Sequence, residues 1–359
     1  MQTQRNELNF KGQNIYVGID VHKKSWSVTI MSDQLEHKTF SQLPDTKTLH
    51  RYLDKNFPGA TYHSVYESGY CGYWIHQELL SHHINNIVVN AADVPTTGKE
   101  KTNKTDKRDS RKLARSLSKS ELKSIHIPTR KTQEDRTLLR TRYALRKNLS
   151  KEKVRIKSML NFYGIEHPPV FEKSCTHWSK RYLEWLKKVP MEYESGKSSF
   201  DLLIKGVEEL RELLLETNRK IRQMSDHQDY RENFELIDSI PGIGLITGMT
   251  FLTEIEDIQR FSNIDQFASY VGLVPTCHSS SEKEQNGGIT FRSNGLMREM
   301  LVESAWIVAA KDPAMHLAFI ELCKRMESNK AIIRIARKLL NRIYFALKNK
   351  QKYVCCIAK

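Results

Sequence analysis

The stretch Ile15-Tyr16-Val17-Gly18-Ile19-Asp20-Val21-His22, followed by Trp26-Ser27-Val28-Thr29-Ile30, decides the fold. Two β-rich runs are joined around His22-Lys23-Lys24-Ser25, which predicts a strand hairpin. The first run carries one aspartate among apolar residues. An acid in that setting has to be paired, protonated or bound to a cation. Asp20 is therefore a candidate site residue, and its partners must come from elsewhere in the chain.

Working outward, a weaker strand is expected near Glu36 to Ser41, a helix over Thr46 to Asn56, and a strand over Thr61 to Glu67. Tyr73 to His82 reads as a helix and Ile84 to Val89 as a short buried strand. Three strands followed by alternating helix and strand give an α/β layer. From about Thr105 a further helix begins, with Asp106 and Asp109 three apart on one face. Leu113, Ala114 and Leu117 continue the inward stripe, while Lys107, Arg108, Arg111, Lys112 and Arg115 are expected on the outside. Acids at a helix start are favoured by its dipole alone. Beside Asp20 and Glu67, a shared site is the better reading.

The remainder is helical. Residues 131 to 163 predict one long polar helix with a thin apolar stripe, broken by His167-Pro168-Pro169, and Phe200 to Met224 is its plausible returning partner. Such a coiled-coil arm would carry dimer or nucleic-acid contacts. At Ile240-Pro241-Gly242-Ile243-Gly244 the chain matches a helix-hairpin-helix, whose glycines allow close approach and whose second helix offers N–H groups to a phosphate. A polar loop is expected over Thr276 to Gly288, then three closing helices. The expected domains are 1–125, a helical arm over 126–230, and a mostly helical domain over 231–359.

The 359 residues hold 57 Lys and Arg against 42 Asp and Glu, a formal charge of +15. That excess favours a polyanionic partner, most simply nucleic acid. No apolar run approaches a membrane span, no secretory leader is legible, and the six cysteines lack zinc-ligand spacing. A cytoplasmic protein with reduced thiols and no membrane partner is expected.

Asp20, Glu67, Asp106 and Asp109 cannot all ionise at one point without cations, and Mg²⁺ (or Mn²⁺) is the natural one. Two such ions about 3.5–4 Å apart would clamp a phosphodiester in transfer. The order of elements resembles the ribonuclease H and RuvC-like nuclease fold. A sugar-kinase or actin-like hairpin is the competitor, but that fold follows its aspartate with a Gly/Ser/Thr-rich turn, not Val21-His22-Lys23-Lys24.

A second block comprises Gly272-Leu273-Val274-Pro275, His278-Ser279-Ser280-Ser281, Lys283, Gly287-Gly288-Ile289-Thr290, Asn294 and Arg298. Taken with Gly18 to Lys23, Glu67, Lys104-Thr105-Asp106-x-x-Asp109 and the Pro-Gly-Ile-Gly turn, it resembles one family over residues 14 to 348. These are the DEDD transposases of insertion sequences related to the Piv/MooV DNA invertases, bridge-RNA-guided recombinases. The resemblance implies that Asp20, Glu67, Asp106 and Asp109 bind metal in a RuvC-like domain. It implies that Ser280 attacks DNA to form a phosphoserine link. Lys104, Lys107, Arg108, Gly242, Gly244, Lys283 and Arg298 would contact nucleic acid. The implied partners are double-stranded DNA, a structured guide RNA and further copies of the chain (a dimer or tetramer), in a bacterial or archaeal cytoplasm at the nucleoid. Ser281 stands where the family has Gly, and Phe291 and Ser293 where Lys and Gly are common, so Ser279 and Ser281 stay open as nucleophiles. A metal-dependent Holliday-junction-type endonuclease and a non-catalytic nucleic-acid-binding protein are the alternatives.

Overall fold

The computed structural model describes residues 9–33, 35–96, 98, 105–280, 283–290 and 292–355. Lys104, Ser281 and Phe291 lie outside the described residues. The chain divides into two compact units, Met1–Ile127 and Pro128–Lys359.

In the first unit, β1 (Asn14–Val21), β2 (Trp26–Met31), β3 (Glu36–Gln42), β4 (Thr61–Glu67) and β5 (Asn85–Val89) form one sheet in the order β3-β2-β1-β4-β5. β1 to β3 pair antiparallel as a meander, while β4 and β5 join β1 in parallel. The parallel joins need crossovers, supplied by α1 (Thr46–Asn56) and α2 (Trp74–Ser81). Strand side chains alternate between faces. Ile15, Val17, Ile19, Trp26, Val28 and Ile30 turn to one face and bury with Leu49, Leu53, Ile75 and Leu79 of these helices. Each such side chain contributes about 1.5–3 kcal/mol by leaving water.

The other face takes α3 (Asp106–Ser118), and under it Gly18, Ser27, Thr29 and Thr39 of β1 to β3 are small or polar. Ser110 Oγ bonds Ser27 at 3.2 Å and Thr29 at 2.9 Å, and Thr29 bonds Thr39 at 2.9 Å, so the buried hydroxyls satisfy one another. Leu113 packs with Val65, Val89 and Val94. Gly18 is what lets the helix come down: a methyl group there would collide with the Ser110 carbonyl oxygen and the Ala114 amide nitrogen. Lys112 departs from the expected outside stripe. It is only 8% exposed, because this part of α3 turns toward β4.

The second unit is mostly helical. α4 (Arg130–Phe162), α5 (Lys180–Lys188) and α6 (Glu194–Ser225) come first. Leu139 clusters with Ile221, and Leu149, Ile156 and Leu160 with Phe200, Ile204 and Val207, so the two long helices run antiparallel. The sequence reading missed α5, which buries Tyr182, Leu183 and Leu186 against this pair. Then come α7 (Gln228–Asp238), α8 (Leu245–Ile255), α9 (Ile264–Val271), α10 (Gly295–Lys311), α11 (Pro313–Cys323) and α12 (Ser328–Asn349), around one large apolar core. The expected polar loop after Pro275 is instead a two-stranded antiparallel ribbon, β6 (Pro275–Ser280) and β7 (Lys283–Ile289). Among the described residues, no helix is long and apolar enough to cross a membrane.

Candidate active site

Asp20 and Glu67 stand at the carboxyl ends of adjacent parallel strands. Ile19 pairs with Tyr66, and each acid is the next residue along its strand. By alternation both point to the α3 face. The start of α3 delivers Asp106 and Asp109 to the same region, held down by the close approach at Gly18. One oxygen of Asp20, one of Asp106 and a ring nitrogen of His22 all lie within 4.8 Å of one another. His22 Nε2 is 3.3 Å from Asp20 Oδ2 and 3.6 Å from Asp106 Oδ1. Burial pushes the Asp20 carboxyl above the ordinary aspartate range, and the charges of Asp106 and Asp109 push it further, against a partial pull from His22.

The other two acids have a different companion. Lys112 Nζ lies 3.5 Å from Asp109 Oδ1 and 3.8 Å from Glu67 Oε1. Sequence reasoning missed this, since a lysine three residues after an aspartate on a basic helix reads as solvated. Further out, Arg111 Nε bonds Glu36 Oε1 at 2.7 Å and ties α3 to the sheet edge. Lys107 and Arg108 are exposed on the first turns of α3.

In the second unit, Ser280 ends β6 and pairs across the ribbon with Lys283 at the start of β7; Ser279 pairs with Glu284. The ribbon's foot is held by Arg298, whose Nη1 donates to the carbonyls of Thr290 at 2.6 Å and Gly272 at 3.4 Å. Asn294 caps α10 and donates through Nδ2 to Glu254 Oε2 at 3.0 Å. Glu254 itself is 2% exposed and accepts from Arg140 at 2.8 and 3.0 Å through Oε1 and at 3.1 Å through Oε2. Its backbone carbonyl accepts from Arg136 at 2.9 Å and Tyr270 at 3.1 Å. One residue thus links the long helix α4, α8, α9 and the start of α10. Neither role is visible in sequence, where Arg298 is expected to contact nucleic acid and Glu254 draws no reading.

The Pro-Gly-Ile-Gly turn lies between α7 and α8. Gly242 has φ +87°, and a side chain there would meet the Ser304 carbonyl at 2.8 Å, so this glycine packs the turn on α10. The side-chain position at Gly244, before α8, faces open space.

Two family models match the chain: a DEDD transposase model named for IS110 over residues 17–165, and the Transposase IS116/IS110/IS902 family over 234–319. The first spans Asp20 through the long helix, and the second spans the turn and the ribbon. The chain belongs to the IS110-family DEDD transposases. Relatives agree along its length. The transposase for insertion sequence element IS1533 of Leptospira borgpetersenii is 25% identical, covering 92% of this chain and 96% of that protein. The transposase for insertion sequence element IS1111A of Coxiella burnetii is 26% identical, over 71% of this chain and 70% of its own. A relative from Sinorhizobium fredii is 27% identical, over 67% of this chain, which spans just over half (57%) of that longer protein.

As a transposase the chain is a DNA-processing enzyme, and its acids fit a divalent ion. Oxygen donors from Asp20 and Asp106 suit a hard cation such as Mg²⁺, and the His22 nitrogen is equally acceptable to Mn²⁺. The upward push on Asp20 comes first from burial and then from the charges of Asp106 and Asp109, a setting in which a bound cation would favour the ionised carboxylate.

Proposed function

We propose that this transposase cuts and rejoins DNA through a covalent phosphoserine intermediate. Ser280 is the nucleophile, and Asp20, Glu67, Asp106 and Asp109 are the metal-binding acids of a RuvC-like domain. The observation that carries the reading is the meeting of Asp20, His22 and Asp106 within 4.8 Å where α3 crosses β1. The sheet order, with β4 and β5 parallel to β1 and β2 and β3 antiparallel, supports the ribonuclease H-like assignment.

The chemistry balances without a high-energy cofactor. The Ser280 Oγ–phosphorus bond forms as the bond to the leaving DNA oxygen breaks, and that oxygen departs with a proton equivalent to the one serine gave up. Rejoining reverses the step with another strand's hydroxyl, so the energy of the broken diester is kept. A bound divalent ion supplies neutralisation of the charge developing on phosphorus. His22, beside both Asp20 and Asp106, keeps their carboxylates turned to a common point.

The same reading delegates target choice to base pairing with a structured guide RNA, held with the DNA by backbone contacts. The charge of +15, the exposed Lys107 and Arg108, and Lys283 at the start of β7 support polyanion binding. The long antiparallel helices suit assembly with further copies of the chain.

The test is a denaturing gel of suicide DNA substrates carrying element ends, incubated with Mg²⁺. Protein-linked DNA is expected from the wild type, Ser279→Ala and Ser281→Ala, and is expected to vanish in Ser280→Ala. Free 5′-phosphate ends formed at an unchanged rate in Ser280→Ala would overturn the phosphoserine step in favour of hydrolysis. Loss of the adduct when RNA is withheld tests the guide.

A further inference from the structure

We propose that the helical arm holds a phosphate of a nucleic-acid backbone between Lys153, Lys157 and Arg211, beside the indole of Trp178. This rests on the polyanion-binding reading above and gives the arm a ligand of its own.

The three cations come from two helices. Lys153 and Lys157 stand one turn apart on α4, where Ile156 and Leu160 bury with Phe200 and Ile204 of α6. α6 brings Arg211, whose Nη1 donates to the Trp178 carbonyl at 3.1 Å. Lys153 Nζ lies 5.2 Å from the centre of the Trp178 ring. All four residues are half-buried. Trp178 has φ +66°, a left-handed backbone that costs a bulky residue on the order of 1–3 kcal/mol and persists only where its surroundings hold it. That turn sets one tryptophan against a lysine and an arginine at once.

What the cluster lacks is an acid. Elsewhere on the arm cations meet carboxylates: Arg155 pairs with Glu152, Lys187 with Glu208 at 2.7 Å and Lys197 with Asp201 at 2.8 Å. Among the described residues, Lys153, Lys157 and Arg211 have no such partner. Like charges one turn apart on a helix disfavour each other. Burial, then the charges of Arg211 and Lys157, hold the Lys153 ammonium below the ordinary lysine range. Cations gathered out of water in this way are unfavourable until an anion reaches them. A phosphodiester meets that need, with one negative charge and free oxygens for two ammonium groups and the remaining guanidinium donors. In a DNA-processing enzyme of charge +15, it is the anion at hand.

The experiment follows the full-length chain binding fluorescein-labelled duplex DNA and, separately, a labelled RNA hairpin, by anisotropy across a salt series. Lys153→Met with Lys157→Met keeps both side-chain stems and removes both charges. With DNA or with RNA, whichever supplies the phosphate, this double variant is expected to bind about 10-fold more weakly at about 0.15 M salt. The slope of log affinity against log salt should flatten by about two. Lys205→Gln with Lys220→Gln removes two exposed charges from α6 and is expected to leave the slope unchanged. Without nucleic acid, the lysine-to-methionine pair should melt at or above the wild type, because repulsion has been relieved. An unchanged slope with both nucleic acids would overturn the proposal. So would equal flattening in the control pair, or a melting temperature well below the wild type, which would make the lysines structural. Wild-type binding to neither nucleic acid would instead remove the polyanion reading on which the site rests.

Discussion

The two units each hold buried or half-buried acids, and they balance them in opposite ways. At the end of β1, Asp20, Asp106, Asp109 and Glu67 outnumber the cations beside them among the described residues, Lys112 and, when protonated, His22. In α8 a single carboxylate, Glu254, faces the guanidinium groups of both Arg136 and Arg140 and the Asn294 amide. The first arrangement gathers acids at one place, and burial together with the charges of Asp106 and Asp109 pushes the Asp20 carboxyl up. The second is saturated with donors and has nothing left to offer a ligand. A buried acid short of cations points to a binding site. One surrounded by guanidinium and amide groups is scaffold, here the joint between the long helix and the foot of the serine ribbon.

That contrast can be broken by substitution. Asp20→Asn should lower DNA cleavage about 10²–10³-fold, the scale on which loss of one preorganised electrostatic contact acts, while the fold stays intact. Glu254→Ala should behave in reverse. It strands Arg136 and Arg140 against a buried void, and the second unit should lose about 3–5 kcal/mol in urea unfolding, with Mn²⁺ binding unchanged. Gly18→Ala is smaller in scale and links packing to the site. The added methyl pushes α3 off β1, which should cost about 1–3 kcal/mol and weaken divalent-ion binding by displacing Asp106. If Gly18→Ala left ion affinity untouched, the claim that close packing assembles the acids would fail.

The sequence made the first unit legible because its signals are local. Alternation on β1 and β2, the turn at His22 to Ser25, and a helix opening at Thr105 follow from short-range patterns, and they were enough to bring Asp20 and Asp106 into one argument. The errors arise where tertiary position overrides residue type. Lys112 is charged, so a helical reading turns it outward, and nothing in the chain around it announces Glu67 from β4. The β6–β7 ribbon lacks apolar alternation over Thr276 to Gly288, so only its ladder defines it. Glu254 is the clearest case: its partners come from residues 6 to 118 positions away, and none is implied by its own helix.

The burial of Asp20 beside other acids also has a thermodynamic signature. Its folded-state carboxyl titrates above the ordinary value of 3.8, so the folded protein holds more protons than the unfolded chain just above that pH. Without metal this group's contribution is fully present below the unfolded value and is lost as pH rises through the folded one. A divalent ion at the site should offset that loss, since a ligand bound only by the folded state stabilises it.

Thermal melting of the wild type and Asp20→Asn at neutral pH, in chelator and then in Mg²⁺, tests this most directly. The account predicts that in chelator Asp20→Asn melts at or above the wild type, because a disfavoured charge has been removed. Mg²⁺ should then raise the wild-type Tm and leave the variant's unchanged. An equal rise in both proteins, or a variant that melts well below the wild type in chelator, would contradict it.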